Sequence, residues 1–137
     1  MLRQVDHIGI AVKDLDKSLR DYERLYHVKA THIETMEGAD IRMAFIPVGE
    51  VMIELLEPLS PGKGMIGEFL SSSEEGFHHI CYRVEHLDDL ISEMKTAGVR
   101  FMTEQSIPGA AGARIIFLNP EETGNVLTEL AERDTGE

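Results

Sequence analysis

Two histidines and two glutamates stand at repeated positions along this chain of 137 residues: His7, Glu54, His79 and Glu129. Imidazole and carboxylate groups are ligands of divalent ions such as zinc, cobalt, nickel, manganese and iron. Two carboxylates balance the charge of one dication, and an octahedral ion would keep two positions for water or for two substrate oxygens. The four residues therefore predict a catalytic metal site rather than a closed structural one.

These positions belong to an internal repeat, which is the most informative feature of the sequence. Val5–Val12 matches Phe77–Val84, so that His79 follows His7 by 72 residues (79 − 7). Phe117 follows Phe45 by the same 72 (117 − 45), whereas Glu129 follows Glu54 by 75 (129 − 54). We ascribe the extra three residues to a longer hairpin turn at 120–125 than at 47–50. Insertions at turns are tolerated.

In both copies of the first strand, the histidine is predicted to lie on the face opposite to the apolar residues. Neighbouring side chains on a strand point to opposite faces. The apolar residues expected beneath a helix are Ile8, Ile10 and Val12 in one copy and Ile80, Tyr82 and Val84 in the other. His7 then shares its face with Gly9 and Ala11, which are too small to cover it. Because the repeat aligns His79 with His7, it predicts His79 rather than His78 as the ligand of the second copy.

The two glutamates stand among apolar neighbours, Glu54 beside Met52 and Leu56, and Glu129 beside Leu127. Buried carboxylates are normally paired or bound to metal. Taken singly, each histidine or glutamate is more often structural, and a glutamate between apolar residues can mark an edge strand with one wet face. Their coincidence at repeated positions favours the metal site.

The elements that must position these residues form two βαβββ repeats. Helical spacing of apolar residues predicts one helix after each first strand, the first capped by Asp14 and the second ending at Gly98. We predict a single domain over 1–137, with repeats at about 4–58 and 76–133 and a linker at 59–75 that contains a short helix at 65–70.

Composition excludes several function classes. With 25 acidic and 13 basic residues, the formal charge of −12 would repel nucleic acid and anionic membranes. No apolar run approaches the length of a spanning helix and the N-terminus shows no leader, so we expect a cytoplasmic protein. Cys81 is the single cysteine, which rules out an intramolecular disulfide, and its apolar neighbours predict a packed residue.

Four segments resemble the methylmalonyl-CoA epimerase family of the glyoxalase, or vicinal oxygen chelate, superfamily. These are the segments 5–12, 53–58, 76–81 and 124–130. The resemblance covers about Val5 to Ala131 and implies an α+β fold in which two βαβββ modules form an open eight-stranded cup, usually as a homodimer. It implies one divalent metal ion (Co, Zn, Ni or Mn) held by His7, Glu54, His79 and Glu129.

The activity implied by this resemblance is interconversion of the (R) and (S) forms of methylmalonyl-CoA, an acyl-CoA thioester. An α-proton leaves to give a metal-stabilised enolate, and Glu129 is the first candidate for the catalytic base. The glycine-containing segment 108–120 resembles a substrate-covering loop that enters a strand, and Met52, Leu127 and Phe117 are expected to line the pocket.

The chain departs from this family at two places. Asn119-Pro120-Glu121 stands where many epimerases have His-Pro-Lys, so a cation that could face an anionic substrate is lost. Ile41-Arg42-Met43 lacks the second glutamate that some epimerases have there. The second acid–base group is therefore not assigned.

Three alternatives stay open. A lactoylglutathione lyase shares the scaffold and similar ligands, and some members of the superfamily only bind small molecules without catalysis. An extradiol dioxygenase is disfavoured because its iron site uses two histidines and one carboxylate. The remaining histidines, His27, His32 and His86, have no repeat counterpart and are expected at the surface.

Overall fold

The computed structural model describes residues 1–134 and contains eight strands and three α-helices. In chain order, the elements are β1 Leu2–Ala11, α1 Leu15–Tyr26, β2 His32–Met36, β3 Ile41–Val48, β4 Val51–Pro58, α2 Gly64–Ser72, β5 Gly76–Val84, α3 Leu87–Thr96, β6 Ile107–Pro108, β7 Arg114–Phe117 and β8 Thr128–Glu132. The strand order is β2-β3-β4-β1-β5-β8-β7-β6. The predicted fold class, with two βαβββ modules contributing eight strands, is confirmed, and so is the short helix of the linker.

The chain forms two compact units. The His7 unit runs from His7 to His78, and the His79 unit comprises Met1–Asp6 and the chain from His79 onward. The unit boundary cuts β1 after Asp6 and β5 after His78.

In the His7 unit, β4 pairs in parallel with β1 and antiparallel with β3, which pairs antiparallel with β2. Helix α1 covers a core of Val12, Leu15, Ala44, Ile46 and Leu55. The side chain of Asp14 caps α1 as predicted, because it accepts a hydrogen bond of 3.1 Å from the Lys17 amide. The Glu57 carboxylate accepts a second one, of 2.8 Å, from the Leu15 amide.

The His79 unit repeats this construction. Strand β8 pairs in parallel with β5 and antiparallel with β7, and α3 covers a core of Val84, Leu87, Leu90, Ile91, Ile116, Leu118 and Leu130. Glu132, at the position equivalent to Glu57, accepts hydrogen bonds of 3.2 Å from the amides of His86 and Leu87. Each repeat therefore uses the glutamate three residues after its predicted ligand to hold the start of its helix.

The helix and turn ends follow local chemistry. Helix α3 ends before Gly98, whose φ of +88° is the left-handed conformation predicted for it. Strand β7 ends at Phe117, earlier than the repeat suggests, because Asn119 caps a 3-10 helix at Pro120–Thr123 and accepts a hydrogen bond from the Glu121 amide. No helix of the described residues is long and apolar enough to cross a membrane.

Candidate metal centre

The His7 unit brings its two predicted ligands together. Nε2 of His7 lies 3.2 Å from Oε1 of Glu54, and both side chains are buried, with exposed fractions of 3% and 6%. Glu54 is directly opposite Gly9 across the β1–β4 pair, so His7 and Glu54 are diagonal neighbours on one face. Phe45 is directly opposite Glu54 on β3, and its ring centroid lies 5.8 Å from that of His7 in an edge arrangement.

The His79 unit contains the same arrangement. Nε2 of His79 lies 3.2 Å from Oε1 of Glu129, and the exposed fractions of these side chains are 4% and 7%. Glu129 is opposite Cys81 on β5 and opposite Phe117 on β7. The Phe117 ring lies 5.5 Å from that of His79, again edge-on. Each unit therefore presents one buried imidazole–carboxylate pair beside one phenylalanine.

The dimensions and chemistry of each pair fit a divalent metal ion. Two ligand atoms about 2.1 Å from one ion are about 3.0 Å apart at right angles and about 3.4 Å apart in a tetrahedron. The 3.2 Å between imidazole nitrogen and carboxylate oxygen in both units falls between these values. A carboxylate held in a buried position beside an imidazole is also a donor set that suits borderline divalent ions.

Burial of the histidines differs from the expectation. Small neighbours on β1 were predicted to leave the His7 ring uncovered, but the edge of Phe45 packs against it. The repeat aligns Phe45 with Phe117, and this match could have predicted that Phe45 packs against His7. Only Phe117 was predicted to line the pocket. His78, the neighbouring histidine that was not predicted as a ligand, packs its ring edge-on against Phe69 of α2 at 5.0 Å.

A buried ion pair next to His7 in the sequence was missed. Asp6 is fully buried, and its carboxylate accepts hydrogen bonds of 2.8 Å from both Nε and Nη2 of Arg133. Arg83 Nε donates to the same carboxylate at 3.0 Å. Arg133 Nη1 also donates to the carbonyl of Ala110, in the glycine-containing loop, at 3.2 Å. Arg83 and Arg133 lie 77 and 127 residues from Asp6 in the sequence, so no local pattern predicts that they pair with it.

Of the three histidines expected at the surface, His27 and His86 are exposed. His32 is also exposed, with 43% of its side chain accessible, but it has specific contacts. Its ring stacks on Phe45 at 5.9 Å, and its Nε2 lies 2.7 Å from Oε1 of Glu34. Sequence reasoning did not anticipate this pair, because neither residue has a counterpart in the second repeat.

The comparisons with known proteins identify the superfamily. The sequence pattern of the Glyoxalase/Bleomycin resistance protein/Dioxygenase superfamily matches residues 6–117. The chain belongs to this superfamily. The human mitochondrial methylmalonyl-CoA epimerase is 29% identical over 131 residues, which cover 96% of this chain and 74% of that protein.

Two bacterial epimerases are similar to this chain over almost their whole length. The ethylmalonyl-CoA/methylmalonyl-CoA epimerase of Cereibacter sphaeroides is 29% identical over 133 residues, 96% of this chain and 99% of that one. The solved methylmalonyl-CoA epimerase of Streptomyces coelicolor, in complex with 2-nitronate-propionyl-CoA, is 32% identical with a TM-score of 0.93 over 98% of this chain and 97% of that chain. The resemblance noted from four sequence segments is confirmed.

Proposed function

We propose that this member of the superfamily is a metal-dependent epimerase that interconverts the (R) and (S) forms of methylmalonyl-CoA. The observation that carries the proposal is the repeated buried pair of His7 with Glu54 and of His79 with Glu129, each at 3.2 Å. Epimerases that cover nearly the whole chain support the choice of reaction and of an acyl-CoA thioester as substrate.

The two pairs would act as the four ligands of one divalent ion, for which cobalt, zinc, nickel and manganese suit the donor set. When bound, such an ion acts as a Lewis acid that polarises a carbonyl and stabilises negative charge on its oxygen. The protein holds its ligands in buried positions, where electrostatic interactions are stronger than in water. Phe45 and Phe117 fix the imidazole rings from the side and keep water away from them.

Glu129 is the proposed base that removes the α-proton from one face of the substrate. Its carboxylate is buried, with Oε1 3.2 Å from Nε2 of His79, and Phe117 is its partner across the β7–β8 pair. A base in such a position acts with its orientation already set, and proton transfer by a well-placed group contributes about 10²–10⁴-fold to the rate. Inversion also requires a proton donor on the other face.

The substrate is tested by incubating the protein in deuterated water with methylmalonyl-CoA and, separately, with the methylglyoxal–glutathione adduct. We expect deuterium at the α-carbon of the thioester together with inversion of its configuration. Formation of lactoylglutathione from the second substrate would instead identify a lyase. No reaction with either, combined with absence of metal in the purified protein, would identify a non-catalytic binding protein.

The ligand set is tested by His7→Ala, with His27→Ala as the matched control at an exposed histidine. Removal of a residue that hydrogen-bonds to a metal ligand costs about 10–100-fold in metal affinity. We expect His7→Ala, which removes a proposed ligand itself, to cost more than this. Metal content and turnover should fall together while the circular dichroism spectrum is retained. Full metal content and activity in His7→Ala would contradict the site.

By the same resemblance, we propose that two chains form the enzyme. Light scattering of the purified protein should then give about twice the chain mass of 15.3 kDa. A mass equal to that of one chain, at concentrations where the enzyme is active, would contradict the dimer.

A further inference from the structure

One arginine of the His79 unit lies beside the proposed base. Strand β8 pairs in parallel with β5, which places Glu129 opposite Cys81 and Ala131 opposite Arg83. Successive side chains of a strand alternate between faces, so Arg83 shares the face of His79 and Glu129. Along β5, His79 precedes the residue opposite Glu129 by two positions and Arg83 follows it by two. His79 and Arg83 are therefore both diagonal neighbours of Glu129.

This register brings Arg83 within reach of a small group bound at Glu129. Neighbouring strands lie about 4.8 Å apart and two residues along a strand span about 6.6 Å, which puts the Cα atoms of diagonal neighbours about 8 Å apart. His79 spans this separation, because its Nε2 lies 3.2 Å from Oε1 of Glu129. Arginine has a longer side chain than histidine, so a small group that contacts Glu129 can also contact Arg83.

Arg83 is a second arginine on a carboxylate that already has one, and all three groups belong to the His79 unit. Nε and Nη2 of Arg133 donate hydrogen bonds of 2.8 Å to Asp6, and together they engage both carboxylate oxygens. Nε and Nη2 of Arg83 lie 3.0 and 2.9 Å from Oδ1 alone. An arginine that binds both oxygens is the strong geometry for a carboxylate. Asp6 therefore has a full partner in Arg133 without Arg83.

Arg83 keeps hydrogen-bond donors for another anion. A guanidinium carries five N–H donors in a fixed fork, and Arg83 directs those of Nε and Nη2 to one oxygen of Asp6. Within residues 1–134, Nη1 of Arg83 makes no hydrogen bond. The Arg83 side chain is 34% exposed, against 13% for Arg133. Asp6 thus fixes the guanidinium of Arg83 while part of its donor edge stays open.

The charge of the protein gives such a group a role. Methylmalonyl-CoA is an anion, and the formal charge of −12 repels it. Among the described residues of β5, β7 and β8 on the face of Glu129, Arg83 is the one with a permanent positive charge. The others on this face of the His79 unit are His79, Cys81, Ile115, Phe117 and Ala131. The planar fork of arginine matches the geometry of a carboxylate.

We propose that Arg83, held by Asp6, binds the carboxylate of the substrate and selects carboxylated thioesters over plain acyl-CoA; this inference rests on the proposed epimerase function. The carboxylate is bonded to the carbon whose proton Glu129 removes, so it lies next to Glu129 when the reaction starts. The phosphates of coenzyme A are at the far end of the pantetheine arm, away from a residue this near to the base. Arg83 therefore acts in recognition and not in proton transfer.

The test compares two unreactive ligands that differ in the carboxylate. Dimethylmalonyl-CoA has no α-proton, and pivaloyl-CoA has a methyl group in place of its carboxylate. Isothermal titration calorimetry of the metal-loaded protein measures both affinities for the unaltered chain, Arg83→Gln and Arg100→Gln. Arg100 is the matched control, because it is an exposed arginine of the same unit that also pairs with glutamates.

We expect Arg83→Gln to bind dimethylmalonyl-CoA about tenfold more weakly, the low end for a hydrogen bond to a charged group because the site is partly exposed. Its affinity for pivaloyl-CoA should be unchanged, which also shows that the variant is folded. Arg100→Gln should bind both ligands like the unaltered protein. The selective loss in Arg83→Gln should persist when both ligands are supplied as pantetheine thioesters, which lack the phosphates.

Equal losses of affinity for the two ligands in Arg83→Gln would overturn the proposal, because a purely structural role or a contact with the phosphates weakens both. Unchanged affinities for both would overturn it as well, as would a loss that disappears with the pantetheine thioesters. The proposed function is tested separately by epimerisation of methylmalonyl-CoA in the unaltered protein. If that reaction fails, the proposed function fails, whereas a working epimerase without a selective loss in Arg83→Gln contradicts this inference alone.

Discussion

The buried ion pair of Asp6 predicts unequal effects of its two arginines on stability. Arg133 donates to both oxygens of the carboxylate and to the Ala110 carbonyl, and 13% of its side chain is exposed. Arg83 donates to one oxygen only, and 34% of its side chain is exposed. Because either arginine can pair with Asp6 when the other is replaced, both Arg133→Gln and Arg83→Gln should fold.

The expected losses follow from these contacts. Hydrogen bonds to charged groups contribute about 1.5–3 kcal/mol each, and a glutamine recovers part of the loss. We therefore expect Arg133→Gln to lower the free energy of unfolding by about 3 kcal/mol. Arg83→Gln should cost about 1 kcal/mol, because solvent screens a partly exposed pair.

Urea unfolding followed by far-ultraviolet circular dichroism measures both values, and this signal is preferable because the chain has no tryptophan. Amide exchange in the segment 109–113 should also become faster in Arg133→Gln but not in Arg83→Gln, since Arg133 alone of these two donates to Ala110. Equal losses of stability in the two variants, or a larger loss in Arg83→Gln, would refute the assignment of Arg133 as the principal partner of Asp6.

Three further predictions concern other parts of the fold. Burial raises the pKa of Tyr22 above its ordinary value of 10.0. The contribution of this tyrosine to stability is therefore complete below pH 10 and is lost as the pH rises through the raised pKa. Tyr22→Phe should weaken the alkaline loss of thermal stability, and an unchanged loss would contradict this. Glu57→Gln and Glu132→Gln should each cost about 1 kcal/mol of unfolding free energy by weakening a helix start, and the prediction fails if thermal melts show no change in either. A Cβ on Gly109 would lie 2.7 Å from Cγ2 of Ile115, so Gly109→Ala should lower the melting temperature, whereas the same change at the open position Gly38 should not.

The repeat was sufficient to predict much of the fold because its information is local. Strand alternation, helical spacing and the cap at Asp14 each depend on a few neighbouring residues, and the structure reproduces them. The four residues were selected because a histidine and a glutamate occur at matching points of both copies, and the structure places His7 beside Glu54 and His79 beside Glu129. Repetition converts a weak signal at one position into a strong one, because independent structural uses rarely coincide twice.

What the sequence did not predict depends on contacts between distant segments. The partners of Asp6 lie 77 and 127 residues away, and no period or motif connects them. The hydrogen bond that Glu57 accepts at the start of α1 follows from the end of β4 lying beside that helix, 42 residues away in sequence. His32 was placed at the surface because it is unrepeated, yet the β2–β3 register sets it against Phe45.

The differences between the two units are as informative as their likeness. Both contain the same trio of histidine, glutamate and phenylalanine, in which the histidine and the glutamate are buried. Around this trio, the His7 unit adds an accessible histidine oriented by a carboxylate, and the His79 unit adds two arginines bound to a buried aspartate. The repeat therefore accounts for the paired positions of histidine and glutamate, whereas the residues around each pair differ between the two units and had to be found from contacts between distant segments.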